Sequence, residues 1–227
     1  MALHLQREIE RLKKQILTLS AVVEDNLQKA VKSIADRDAK LAQRVIDRDF
    51  DIDDLEVEVE EECLKTLALH QPVANDLRFI IAVLKINNDL ERIGDLAVNI
   101  AERAIYLAQR EPLTVPFDMP RMASLAQHML HKALDALVTL DPVLANSVCA
   151  SDDDVDALNR ETYARIEERI RRDPDHIDCY INFLAISRQL ERIADHTTNI
   201  AQDVIYMIDG NIVRHHREDA RSDAPVR

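Results

Sequence analysis

Leu90-Glu91-Arg92-Ile93-Gly94-Asp95, followed by Asn99-Ile100-Ala101, returns as Leu190-Glu191-Arg192-Ile193-Ala194-Asp195, followed by Asn199-Ile200-Ala201. Ile105-Tyr106 is echoed by Ile205-Tyr206. Upstream, Asp51-Ile52-Asp53-Asp54-Leu55 is echoed by Asp154-Val155-Asp156-Ala157-Leu158, displaced by 103 rather than 100, so a small insertion separates the copies. A period near 100 is too long for a solenoid and implies two similar domain-sized units in tandem.

Each unit reads as helical. Leu5, Ile9, Leu12, Ile16, Leu19, Val23, Leu27, Ala30 and Ile34 recur at gaps of mostly three and four, the seam of a bundle helix. A second helix is expected over Ala39 to His70, with a possible bend in the polar stretch Asp47 to Asp54. A third runs to Arg110 with Pro72 in its first turn. Glu111 to Pro120 holds three of the seven prolines and reads as a linker. The plan then repeats: a fourth helix over Arg121 to Leu140, a fifth opened by Asp141-Pro142 and interrupted around Ala150 to Asp153, and a sixth after Asp173-Pro174. The sixth ends at Asp209, with Gly210 as its C-terminal cap. The expected fold is all-α: two tandem three-helix bundles related by internal duplication about a pseudo-two-fold axis. The first trio occupies 1–110, the linker 111–120, the second trio 121–209, and a fraying tail 210–227.

Composition narrows the function. Two glycines in 227 residues argue against a P-loop, a dinucleotide-binding turn or a hairpin-rich fold, all of which need positive φ. A net charge of −13 repels nucleic acid phosphates and anionic lipids, and with no tryptophan there is little to stack on bases. Cys63, Cys149 and Cys179 are far apart and odd in number, as in a reducing compartment. The charged start lacks a signal-peptide core, and no stretch of about 18 apolar residues is present. The chain therefore reads as a cytoplasmic protein without membrane insertion.

The polar face carries the chemistry. With Leu90, Ile93, Ala97, Ile100, Ala104 and Leu107 inward, Asn88, Glu91, Asp95, Asn99 and Glu102 fall roughly 130–180° away at 100° per residue. Glu191, Asp195 and Asn199 repeat the ridge. Carboxylates four apart repel on one helix face, and a divalent cation turns that repulsion into coordination. Carboxylate and amide oxygens suit Mg²⁺, Ca²⁺, Mn²⁺ or iron. Glu56 and Glu60 on the second helix are companions across a groove, whereas the matching place in the second copy holds Asp156, Asn159 and Glu161. An Arg92–Asp95 ion pair on a solvated face is the plainer alternative. His128, His131, His196 and the tail pair His215-His216 read as surface or packing residues, and Cys63 as a small core hydrophobe. No nucleophile elbow or His-Glu-x-x-His is present, so no catalytic residue is assigned.

The doubled Leu-Glu-Arg-Ile-x-Asp signatures, together with Cys63 to Arg78 and Asp203 to Arg214, resemble the PhoU family over about residues 5 to 215. That resemblance implies tandem three-helix bundles, often dimeric. It also implies multinuclear surface metal clusters, often iron or zinc, held by E(D)xxxD motifs that map here to Glu91 and Asp95 and to Glu191 and Asp195. Glu56, Glu60 and Asp156 are companions, and Asn159 and Tyr163 stand where Glu56 and Glu60 align. The implied role is negative regulation of the phosphate-starvation response, linking a phosphate transporter ATPase to a sensor histidine kinase. Two rivals remain from the residues. One is a ferritin-like di-metal oxidoreductase, disfavoured because no Glu-x-x-His occurs; the other is a plain helical scaffold.

Overall fold

The computed structural model describes residues 2–210; the tail expected to fray, with His215-His216, lies outside the described residues. Seven α-helices are present, α1 (Ala2–Ala35), α2 (Ala39–Asp47), α3 (Asp49–His70), α4 (Ala74–Ala108), α5 (Met119–Thr139), α6 (Pro142–Arg172) and α7 (Ile177–Asp209), with a 3₁₀ turn at Pro174–His176 and no strand among the described residues. α2 and α3 form one interrupted rod, so α1, α2–α3 and α4 make the first trio and α5, α6 and α7 the second.

The duplication is visible in the turns. Arg37 and Leu140 both adopt left-handed backbone (φ 52 and 54), and each is followed by an Asp N-cap. Asp38 accepts from the amides of Lys40 and Leu41, and Asp141 from those of Val143 and Leu144, satisfying first-turn donors that the helix leaves open. Gly210 (φ 76) caps α7 in the left-handed conformation.

The bend expected within Asp47 to Asp54 is a break at Arg48, whose guanidinium pairs with Asp25 on α1 and lies 3.9 Å from Asp51. Two boundaries differ from expectation. Pro72 is buried in the loop before α4 rather than in its first turn, because α3 ends at the left-handed Gln71. α6 runs unbroken through Ala150 to Asp153: Asp152 and Val155 are buried, so the acidic run is a packed helix face and not a turn.

α4 and α7 cross the middle as the most extensive helix pair. Each is about 50 Å long at 1.5 Å per residue. Their apolar stripes, Leu90, Ile93, Ala97 and Ile100 on one and Leu190, Ile193 and Ile200 on the other, are essentially fully buried. Polar links join the trios. Lys85 reaches Asp203 at 3.3 Å and sits over the Tyr206 ring, while His196 Nδ1 lies 2.8 Å from Asp89. His131 joins α5 to Glu24 of α1 at 2.8 Å. At the far end of the first trio, Arg37 donates to the carbonyls of Leu107 (2.7 Å), Arg110 (2.5 Å) and Ala108 (3.4 Å), closing the C-terminus of α4.

Candidate metal centre

α3 and α4 lie side by side, and one glycine sets how closely. A Cβ built on Gly94 would stand 3.2 Å from both Cδ1 and Cγ2 of Ile52 and 3.7 Å from Oδ1 of Asp49. In the second copy the same two positions are Ala194 and Val155: one methyl is gained on α7 and one lost on α6. This packing brings the acids of α3 against those of α4. The ledge is therefore half-buried at Glu91, Asp95 and Asn99, where the helical wheel alone places it on a solvated outer face.

The electrostatics show which carboxylates act on one another. Burial, then the charge of Asp53, then that of Asp95, push the Asp49 carboxyl up to about 6. Burial, then Asp95, with smaller contributions from Glu56 and Asp53, raises Glu91 above the ordinary range, and Arg92 opposes this. Burial, Glu60 and Asp53 raise Glu56. In the second trio, burial, then Asp195, Asp156 and Asp152, raise Glu191, with Arg188 opposing. Each trio therefore joins two pairs spaced four apart: Asp49/Asp53 with Glu91/Asp95, and Asp152/Asp156 with Glu191/Asp195.

Asp49 and Asp152 were missed by the sequence reading, and Asp53 was noted only as part of the repeat. The signal was present, since the displacement of 103 that maps Asp51 onto Asp154 also maps Asp49 onto Asp152 and Asp53 onto Asp156. Of the set expected in the second copy, Asp156 lies with Asp152 beside Glu191, whereas Asn159 and Glu161 are engaged elsewhere. Asn159 accepts from Ser187 at 2.8 Å, and Glu161 pairs with Arg165 at 2.5 Å. In the first trio the equivalent of the Asn159–Ser187 bond is Asn87 donating to Glu56 at 3.0 Å, so the first ledge carries one more carboxylate than the second.

The remaining expected residues divide. Asn99 donates to the Asp95 carbonyl at 2.9 Å, and Asn199 turns instead to Asp89 at 3.3 Å. Glu60 is exposed and acts on Glu56. Asp156 has Arg160 at 3.6 Å. The plain ion pair is also present, with Arg92 3.6 Å from Asp95 and its Nε 3.4 Å from Glu91 Oε2. That last contact is not aligned as a hydrogen bond, and Glu91 Oε2 is buried without one. As they stand, no three His, Cys, Asp or Glu side chains among the described residues are grouped tightly enough to share one ion.

The donor set consists of carboxylate oxygens, and burial first, then neighbouring acids, raises Asp49, Glu56, Glu91 and Glu191 within it. It fits a hard, highly charged cation such as iron, Mn²⁺, Mg²⁺ or Ca²⁺ better than zinc, which favours His and Cys. His196 is engaged with Asp89, and Cys63 is buried with its thiol pushed up to about 12 by desolvation first and then by Glu62 and Glu60.

These features define a class: a duplicated, all-helical bundle protein whose two halves each present a paired carboxylate ledge. The PhoU domain pattern matches it twice, over residues 16–104 and 119–204. The chain belongs to the PhoU family. It is 37% identical over 209 residues to the phosphate-specific transport system accessory protein PhoU homolog of Aquifex aeolicus (strain VF5), covering 92% of this chain and 95% of that one. It is 38% identical to the homolog from Pseudomonas aeruginosa, covering 92% and 86%. Among solved structures, PhoU from P. aeruginosa superposes with a TM-score of 0.87 at 37% identity, over 91% of this chain and 99% of that one. The phosphate transport system regulatory protein PhoU from Streptococcus pneumoniae superposes with 0.82 at 29%, over 92% and 99%. These relatives are named as accessory and regulatory proteins, not enzymes. No helix among the described residues is long and apolar enough to cross a membrane.

Proposed function

We propose that this chain is a non-enzymatic regulator of phosphate uptake, acting as a metal-binding adaptor between the phosphate transporter ATPase and a sensor histidine kinase and restraining both when phosphate is plentiful. The names of its relatives support the transport setting. The observation that carries the metal part is the recurrence, in both trios, of two carboxylate pairs brought from two helices onto one ledge. Asp49, Asp53, Glu91 and Asp95 would hold one site, with Glu56 beside it, and Asp152, Asp156, Glu191 and Asp195 the other. A bound ion supplies positive charge that neutralises the ledge and ties α3 to α4, or α6 to α7. The chain's own residues orient the ligands: Asn87 fixes Glu56, and Gly94 sets the spacing of the two helices.

Two experiments test this. Deletion of the gene should make alkaline phosphatase activity constitutive in high phosphate, and normal repression would refute the regulatory reading. Metal analysis after anaerobic purification should find iron or another hard divalent ion in the wild type and little in Asp95→Ala/Asp195→Ala. Equal, near-zero metal in both would leave a helical scaffold.

A further inference from the structure

α3 carries a second feature on the side turned away from α4. Phe50, Val57 and Leu64 are 74%, 48% and 53% exposed. They are spaced by seven, so they fall within about 40° on the helix and form a straight apolar stripe roughly 21 Å long. Solvated helix faces do not keep such a stripe, and this chain contains its own control. The displacement of 103 puts Asp153, Arg160 and Glu167 at the three equivalent positions on α6.

The flanking charges differ as sharply. α3 holds nine carboxylates and one lysine, whereas α6 holds seven carboxylates and five arginines. On α6 they neutralise one another, with Arg160 3.6 Å from Asp156, Arg165 2.5 Å from Glu161, Arg171 on Glu167 and Arg172 on Glu168. On α3, among the described residues, no Lys, Arg or His forms an ion pair with Asp53, Asp54, Glu60 or Glu61, which border the stripe on both sides. A second copy of the same face is a poor occupant, because stripe-to-stripe packing would set two rows of unneutralised acids against each other. Charge complementarity selects apolar residues at heptad spacing bordered by Lys and Arg.

We propose that the outer face of α3, centred on Phe50, Val57 and Leu64, docks a basic amphipathic helix of a partner protein. This deepens the adaptor reading and rests on it for the existence of such a partner. Asp53 borders the stripe and belongs to the carboxylate ledge, with Glu60 beside it, so docking is adjacent to the ledge and sensitive to its charge.

The test uses the full-length protein and a fluorescent 21-residue synthetic helix with Leu at a and d and Lys at e and g, beside a shuffled peptide of equal composition. Phe50→Ser/Val57→Ser/Leu64→Ser and Asp54→Lys/Glu61→Lys, both surface changes checked for unaltered circular dichroism, should each weaken binding at least tenfold. The shuffled peptide should bind at least tenfold less well than the heptad peptide. Equal binding by the shuffled peptide, or no loss in the triple variant, overturns the proposal. So does a fall in sedimentation mass of the triple variant alone, which would make the occupant a second copy. In cell extracts, capture of the transporter ATPase or the kinase by wild type and not by the triple variant supports it. Capture by both overturns the docking face but leaves the adaptor reading intact, and capture by neither overturns the adaptor reading itself.

Discussion

Asp49→Asn isolates the electrostatic cost of the first ledge. The carboxyl is pushed up to about 6 from the usual 3.8, a difference equivalent to about 3 kcal/mol of destabilisation once the group is fully ionised. Asp49 is partly solvated, which cuts this to about 1.5 kcal/mol. The acid also opens α3, where a negative charge gains about 0.5 kcal/mol from the helix N-terminus. The net expectation is that the metal-free variant is about 1 kcal/mol more stable than wild type at pH 7.5, or about 2–3 °C in Tm. The sign follows from linkage. A carboxyl with a raised folded pKa binds its proton more tightly when folded, so its contribution is fully present below about pH 4 and is lost as pH rises through about 6. The advantage of the variant should therefore shrink at pH 4.5 to about a third of its pH 7.5 value. The assay is thermal unfolding by circular dichroism in excess chelator at both pH values, then with Mn²⁺. With Mn²⁺ the order should reverse, because an ion at one hundred times its Kd adds about 2.7 kcal/mol to the protein that binds it. A variant less stable than wild type at pH 7.5 in chelator, or an equal gain at both pH values, would refute the like-charge account. Equal Mn²⁺ stabilisation of both would remove Asp49 from the site.

Further outcomes follow from packing and capping. Gly94→Ala alone sets about 1 kcal/mol of helix propensity against crowding of Ile52, and Ile52→Val alone costs about 1 kcal/mol. The double variant reproduces the pair found at Ala194 and Val155, so a double-mutant cycle in urea should show favourable coupling of about 1 kcal/mol; zero coupling would show that the contact is not limiting. Arg37→Met removes the guanidinium from three carbonyls at the end of α4 and should cost about 1–2 kcal/mol, read as a lower urea midpoint with unchanged slope. In the native protein at pH 8, a thiol reagent should label Cys149 first, while Cys63, with its thiol near 12, should react only at the unfolding rate; prompt labelling of Cys63 would contradict its burial.

Most of the fold was legible because the stripes are strict. Every apolar position from Ile9 to Ile34 that the spacing placed inward is buried. The break at Arg48 falls inside the polar stretch where a bend is expected, and Asp25 of another helix fixes its position; what failed were Pro72, which lies in the loop before α4, and the interruption expected in α6. The candidate site was half-legible. Glu91, Asp95, Glu191 and Asp195 stood out by exact repetition, but their partners on α3 and α6 could be ranked only once the helices were docked. Asp152 was hidden because three consecutive aspartates resemble a turn, and only the packed helix shows that the first of them faces inward.

The clamp from Arg37 to residues 107–110 has a consequence during synthesis. The guanidinium has no carbonyls to grip until some seventy further residues have been made, so the clamp on the end of α4 closes only after residue 110 has left the ribosome. At about 10 residues per second, α7 then arrives about ten seconds later. Throughout that interval Lys85 and Asp89 wait without Asp203 and His196, and the nascent chain displays the bare flank of α4 to whatever chaperone is at hand.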